Sequence, residues 1–225
     1  MATNYGTSPI VTDGLVFYID PTNPKNKNIT SIPSLIGSVT GTLSSQGVWQ
    51  DSYSGYWNFD GTSDKITLPN SDSSGTTTTA FAFGDNNYTM HCWWKYIGNQ
   101  VMWHSGQTGT NNFYISITST FLGLGSQSTY KHQYSRSNND STWFHWALVR
   151  EGQGSNQSKW YINGELASTG TDATTWISAG TDAGIAGYGG SAAEGEMGPF
   201  AIYNGNYLTA EQIKSFYDRT KERFE

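Results

Sequence analysis

The sequence predicts an all-β fold, two stacked antiparallel sheets with one α-helix at the C-terminal end, and three observations carry that prediction. Between Trp143 and Val149, Phe144, Trp146 and Leu148 alternate with His145, Ala147 and Val149. Both sets are mostly apolar, the pattern of an interior strand covered on two sides. Further on, Asn163-Gly164 separates Lys159–Ile162 from Glu165–Ser168. These two residues tolerate φ > 0, as a type I′ hairpin turn requires. Third, charged residues make up only 13% of the 225 residues, while aromatics reach 15% and glycine numbers 26. That composition suits many short strands joined by tight polar turns, and a chain of this length commonly folds as one all-β unit.

The elements follow in order. Gly14–Asp20 is a short apolar strand, stopped by Asp20-Pro21 and the loop after it. Thr30–Leu43 is punctuated by Gly and Ser and reads as weak, irregular strands. Tyr56–Leu68 is a strand, an Asp60-Gly61 turn and a second strand with Ile66 and Leu68 on one face. Ser71–Thr79 is a low-complexity surface loop. Tyr88–Ile97 is a second strand with two covered faces, followed by strands at Val101–Ser105, Phe113–Ile117, Phe121–Leu124 and Tyr130–Tyr134. Arg150–Ser158 is a polar loop, and Ile185–Tyr188 and Met197–Tyr203 complete the sheets. The helix begins after Thr209, which with Gln212 forms a Thr-x-x-Gln capping box, while Leu208 staples against Ile213. Ile213, Phe216, Tyr217 and Phe224 form one stripe that should lie against the sandwich. No composition break or repeat divides the chain, so residues 1–225 are expected to form one domain with 208–224 as its helix.

A net charge of −6 argues against a nucleic-acid partner, which needs a basic face to neutralise phosphates. The basic residues near the C-terminus, Lys214, Arg219, Lys221 and Arg223, interleave with Asp218, Glu222 and Glu225, as on a solvated helix face. Cys92 is the one cysteine, which excludes an intrachain disulfide and cysteine-based zinc or redox motifs, and its aromatic strand makes it a small buried hydrophobe. No apolar run approaches membrane-spanning length, and MATNYGTSPIV lacks the basic and apolar regions of a signal peptide. A soluble protein made in a cytoplasm is expected.

Five segments in order resemble the concanavalin A-like lectin/glucanase superfamily, in its laminin-G-like branch. They are Phe59–Pro69 (FDGTSDKITLP), Tyr88–Lys95 (YTMHCWWK), Trp143–Arg150 (WFHWALVR), Trp160–Glu165 (WYINGE) and Gly198–Ile213 (GPFAIYNGNYLTAEQI). The opening GLVFYIDPTNPKN and the closing helix resemble the version found in tailed-phage virion proteins. The resemblance implies a two-sheet antiparallel jelly roll. It also implies a non-enzymatic virion protein, a capsid decoration or fibre module that attaches to other virion proteins, presents loops to host glycans and assembles as a homo-oligomer such as a trimer. The rival expectation is a carbohydrate-binding adhesin; a glycoside hydrolase is the third.

The residues weigh these expectations unequally. The hydrolase branch carries Glu-x-Asp-x-x-Glu or a near variant on one strand, and no such run exists here. The nearest pair is Glu194-Gly195-Glu196, whose flanks Ser191-Ala192-Ala193 read as loop. His91 and His145 lie in apolar strands and read as core histidines bonded across the sheet, and no G-x-S-x-G elbow is present. Some laminin-G-like domains hold calcium at the rim, for which Asp60, Asp64 and Asp140 are the candidates, without the DxDxDG spacing. Sugar binding needs a flat aromatic for stacking with planar amide partners beside it. The candidates are Trp103, Tyr114, Tyr130, His132 and Tyr134 with Gln107, Asn111 and Asn112, and in the Gly/Thr-rich loops Trp176 and Tyr188. The competing role for each aromatic is core packing.

Overall fold

The structure is a computed structural model and describes residues 10–45, 48–52, 55–69, 79–98, 100–105, 112–126, 129–136, 141–177, 183–188 and 191–225. Strands are numbered in chain order. The first sheet runs β14 (Glu165–Gly170), β13 (Ser158–Ile162), β12 (Trp143–Arg150), β7 (Tyr88–Gly98), β18 (Glu194–Asn204), β5 (Tyr56–Asp60) and β4 (Trp49–Gln50). β1 (Leu15–Ile19) also pairs with β18. The second sheet runs β11 (Thr129–Ser135), β10 (Phe121–Ser126), β9 (Tyr114–Ile117), β8 (Gln100–His104), β15 (Ala183–Ile185), β6 (Ile66–Leu68), β3 (Thr40–Leu43) and β2 (Ser31–Pro33). A small hairpin, β16 (Gly187–Tyr188) with β17 (Ser191–Ala192), links the second sheet to β18. Every pairing between these strands is antiparallel.

β7, β12 and β18 are long and buried on both faces because each has an element on either side. Their inward residues, Met90, Cys92, Trp94, Trp146, Leu148 and Phe200, meet Ile115, Leu122, Leu124, Ile66 and Trp103 of the second sheet in one continuous core. Fully burying each such side chain contributes about 1.5–3 kcal/mol. β18 changes partner along its length: β5 pairs with Glu194–Met197 and β1 with Phe200–Tyr203. Gly198-Pro199 sits at the handover, where the register shifts and where proline, which has no N–H to donate, breaks no ladder bond.

The outward face of the first sheet is covered. Helix α1 (Ala210–Thr220) starts with the expected capping box, in which the Thr209 hydroxyl accepts from Gln212 N and the Gln212 side chain accepts from Thr209 N. Leu208 and Ile213 pack with Ala147, Val149, Tyr161, Ala201 and Tyr203. Phe216 and Phe224 pack on Trp93, and Trp93 Nε1 donates to Thr220 Oγ1 at 2.8 Å. Beneath Phe216, His145 Nε2 and His91 Nδ1 lie 3.3 Å apart across the β7–β12 pair. Burial pushes His91 down to about 3 and His145 well below the usual histidine range, so both are neutral at pH 7.

Two polar clusters tie distant segments together. Arg150, fully buried at the end of β12, pairs with Asp172 at 3.3 Å and donates to the carbonyls of Gly84, Asn86 and Thr174. The Tyr88 hydroxyl and Trp176 Nε1 also donate to Asp172, at 2.9 and 2.8 Å. Near the other end, the Arg223 guanidinium holds both oxygens of Asp20 at 3.2 and 2.9 Å and reaches Thr22 Oγ1. This clasps the segment after the helix to the loop after β1.

Several expectations are met in place: Asn163 and Gly164 have φ of 50° and 80°, and Cys92 is buried. Thr30–Leu43 contributes only the short β2 and β3. One reading needs correction, since Ser191-Ala192 and Glu194–Glu196 are strand rather than loop. The sequence there is poor in β-formers, but pairing with β5 and β7 on either side overrides local preference.

Candidate functional site

Among the described residues no helix lies on the outward face of the second sheet, and alternation decides what it displays. In β10, Leu122 and Leu124 point into the core, which sends Phe121, Gly123 and Gly125 outward. In β9, Ile115 and Ile117 point inward, leaving Tyr114 and Ser116 outside. Tyr114 is paired with Gly125 on one side and with His104 on the other. His104 in turn faces Gly184 of β15.

β11 would continue this pattern but for a bulge. His132 pairs with Leu124 and Tyr130 with Gly125, which leaves Lys131 as the extra residue. The bulge reverses the parity of the strand. Strict alternation would place Tyr130, His132 and Tyr134 on one face; instead His132 and Tyr134 turn inward and Tyr130 turns out. His132 Nδ1 lies 2.8 Å from Ser158 Oγ and its Nε2 lies 3.1 Å from Ser168 Oγ, joining the edges of the two sheets. Burial pushes its pKa down to about 4. Tyr134 packs against the core.

Tyr130 lies over the two outward glycines of β10. A Cβ on Gly123 would sit 2.6 Å from Tyr130 Cδ1, and one on Gly125 would sit 3.1 Å from the same atom, so glycine is what admits the ring. Phe121 and Tyr114 brace it edge-on, with centroids at 4.9 and 6.1 Å. Tyr130 keeps 38% of its surface exposed, whereas outward-facing Ser116 keeps 4%. The result is an aromatic platform beside a recessed strip, with Gln133 opposite Gly123 and Lys131 at the bulge. Such a ring can stack on the apolar face of a pyranose, and the neighbouring amide, ammonium and hydroxyl groups can bond its oxygens.

Of the residues singled out from sequence, Tyr114 and Tyr130 are brought together here. Trp103 is fully buried against Phe81 and Phe200, and Trp176 is buried with its indole N–H on Asp172, so neither offers a stacking face. Asn112 is also buried, bridged to Ile177. Tyr188 is in β16, but its side chain lies outside the description. Gln107, Asn111 and Asp140 lie outside the described residues. Phe121, Gly123, Gly125, Lys131, Gln133 and His104 were not anticipated. The alternation FLGLGS at 121–126, an apolar inner face with a glycine outer face, was the available signal.

The remaining chemistry is committed elsewhere. Asp60 Oδ1 accepts the backbone N–H groups of Ser63, Asp64 and Thr62 at 2.9, 3.0 and 2.8 Å, which holds its pKa down at about 2. Asp64 accepts from Ser44 Oγ at 3.0 Å. Asp60 is thus occupied by its own turn, and among the described residues no three His, Cys, Asp or Glu side chains gather as a metal site. Glu196 takes Lys95 Nζ on both oxygens, at 3.0 and 3.1 Å, while Glu194 stands opposite Asp60.

Two eight-stranded antiparallel sheets with a shared core and one open face define a lectin-type jelly roll. The chain belongs to the laminin-G branch of the Concanavalin A-like lectin/glucanases superfamily, whose family model matches residues 60–214. No curated protein sequence matches it. Among solved structures, Domain 4 of AbnA, a GH43 extracellular arabinanase from Geobacillus stearothermophilus in complex with arabinotriose, is 20% identical with a TM-score of 0.61, covering 90% of this chain and 98% of that one. A botulinum neurotoxin type C structure, described as entering cells through interaction with two ganglioside molecules, is 13% identical with a TM-score of 0.62, covering 92% of this chain and 51% of the toxin chain. Trypanosoma rangeli sialidase in complex with sialic acid is 12% identical with a TM-score of 0.63, covering 96% and 34%. This chain therefore spans about half of the toxin chain and a third of the sialidase chain.

Proposed function

We propose that this protein is a non-catalytic glycan-binding module whose site is the open face of the second sheet, centred on Tyr130. The observation that supports this most directly is the Tyr130 ring laid over Gly123 and Gly125, braced by Phe121 and Tyr114 and left 38% exposed. A ring held this way loses little freedom when a sugar stacks on it, which favours binding. Structural relatives whose descriptions name arabinotriose, gangliosides and sialic acid lend support to this class of ligand. The test is a glycan array followed by calorimetric titration of the best binders. Tyr130→Ala should lose binding while keeping its far-UV spectrum, and unchanged affinity in that variant would remove the site.

The proposed setting is the surface of a tailed-phage particle, where the chain is a decoration or fibre module attached to another virion protein and assembled as a homo-oligomer, for example a trimer. The opening GLVFYIDPTNPKN and the closing helix support this, as does a large β-core that needs no disulfide. Mass spectrometry and electron microscopy of purified particles should find the protein there; particles lacking it would leave a free-standing lectin.

A further inference from the structure

The charge of the second sheet says more about its ligand. The chain has 18 acidic residues against 12 basic ones. Yet the eight strands of the second sheet contain no Asp or Glu, and their one charged residue is Lys131. In the first sheet, by contrast, Asp60, Lys95, Arg150, Lys159, Glu165, Glu194 and Glu196 all lie on strands. Lys131 is exposed beside Tyr130 and its ammonium makes no ion pair among the described residues. The next cation along the chain, Arg136, turns away to the rings of Tyr96 and Phe144.

A site for neutral sugars gains from carboxylates, which accept from pairs of sugar hydroxyls. Among the described residues the strands of this face supply none, and the one charged group they offer is the exposed Lys131 ammonium, which has three N–H donors and no acceptor. Such an inventory matches a ligand richer in acceptors than a neutral sugar. The overall negative charge does not forbid this, because exposed charges more than about 8 Å away are largely screened at physiological salt. We infer that the glycan taken by this face is acidic, carrying a carboxylate or sulfate that Lys131 engages while Tyr130 stacks on the ring. The inference rests on the proposed glycan-binding face and narrows its ligand class.

The experiment is titration of the intact protein with sialylated, uronate-containing and sulfated oligosaccharides, each against its neutral parent (the desialylated, methyl-esterified or desulfated sugar). At least one acidic member should bind about two- to fivefold tighter than its parent at low salt, the size of one exposed ion pair. That preference should shrink as salt rises and vanish in Lys131→Gln, so that the variant binds the acidic member and its neutral parent equally. Equal, Tyr130-dependent binding of acidic and neutral members would overturn the acidic class and leave the face as a neutral-sugar site. An acidic preference that survives Lys131→Gln would overturn the role of Lys131. No binding to any member would end both the narrower and the broader reading.

Discussion

The two sheets share a core but treat their outer faces in opposite ways. The first buries its outer face under α1, with His91, Trp93 and His145 beneath Phe216 and Phe224, and carries charges that are mostly paired. The second leaves its outer face open, floors it with glycine and serine, and places one cation beside one exposed ring. The difference teaches where each side chain is spent. Charged groups in the first sheet are mostly paired within the protein, whereas the exposed Lys131 of the second makes no ion pair among the described residues. Stability and binding should therefore separate by sheet.

The sharpest way to break this division is Arg150→Met. It leaves Asp172 buried without its cation, which should cost about 3–5 kcal/mol in urea unfolding. A loss under 1 kcal/mol would show that the buried pair is not part of what holds the first sheet. Phe216→Ala opens a cavity over His91 and Trp93 and should cost about 3 kcal/mol with glycan affinity unchanged. Acid should act on the same side. Because the folded values of His91 and His145 lie below the unfolded value of about 6.5, their contribution is complete above that pH and is lost as pH falls towards about 3. His132 adds to this down to about 4. The urea midpoint at pH 4.5 should thus correspond to a loss of about 2 kcal/mol or more relative to pH 7. On the second sheet the expected stability effects are smaller: Tyr130→Ala should change stability by about 1 kcal/mol or less, as for an exposed residue. Gly123→Ala sharpens the comparison further, since its methyl must displace the Tyr130 ring. Weaker glycan binding with the circular dichroism spectrum intact is the expected result, and unaltered binding would mean that the ring's seat is irrelevant.

Period-two alternation made the interior strands legible, and the capping box made the helix start legible, because both are local signals. The face proposed to bind is only half legible. Tyr114 and Tyr130 could be picked as exposed aromatics, but His132 and Tyr134 were grouped with them by a parity that the bulge at Lys131 reverses. A bulge depends on which residue of β10 opposes which residue of β11, and sequence spacing within one strand does not contain that information. Trp176 failed for a related reason. Its Gly/Thr-rich surroundings suggest a surface loop, yet Asp172 and Arg150, both distant or unremarkable in the sequence, draw its indole inside. Long-range polar pairing overrode local composition in that case.

The clasp between Arg223 and Asp20 has a mechanical consequence. It fastens the chain just beyond α1 to the loop leaving β1, and β1 lies alongside β18 through a ladder from Leu15–Tyr203 to Ile19–Phe200. Tension applied at the last residues would then reach β1 through two charge-assisted hydrogen bonds before it could peel the helix away. Where that load runs along the strands it shears the β1–β18 ladder, so that many hydrogen bonds resist at once.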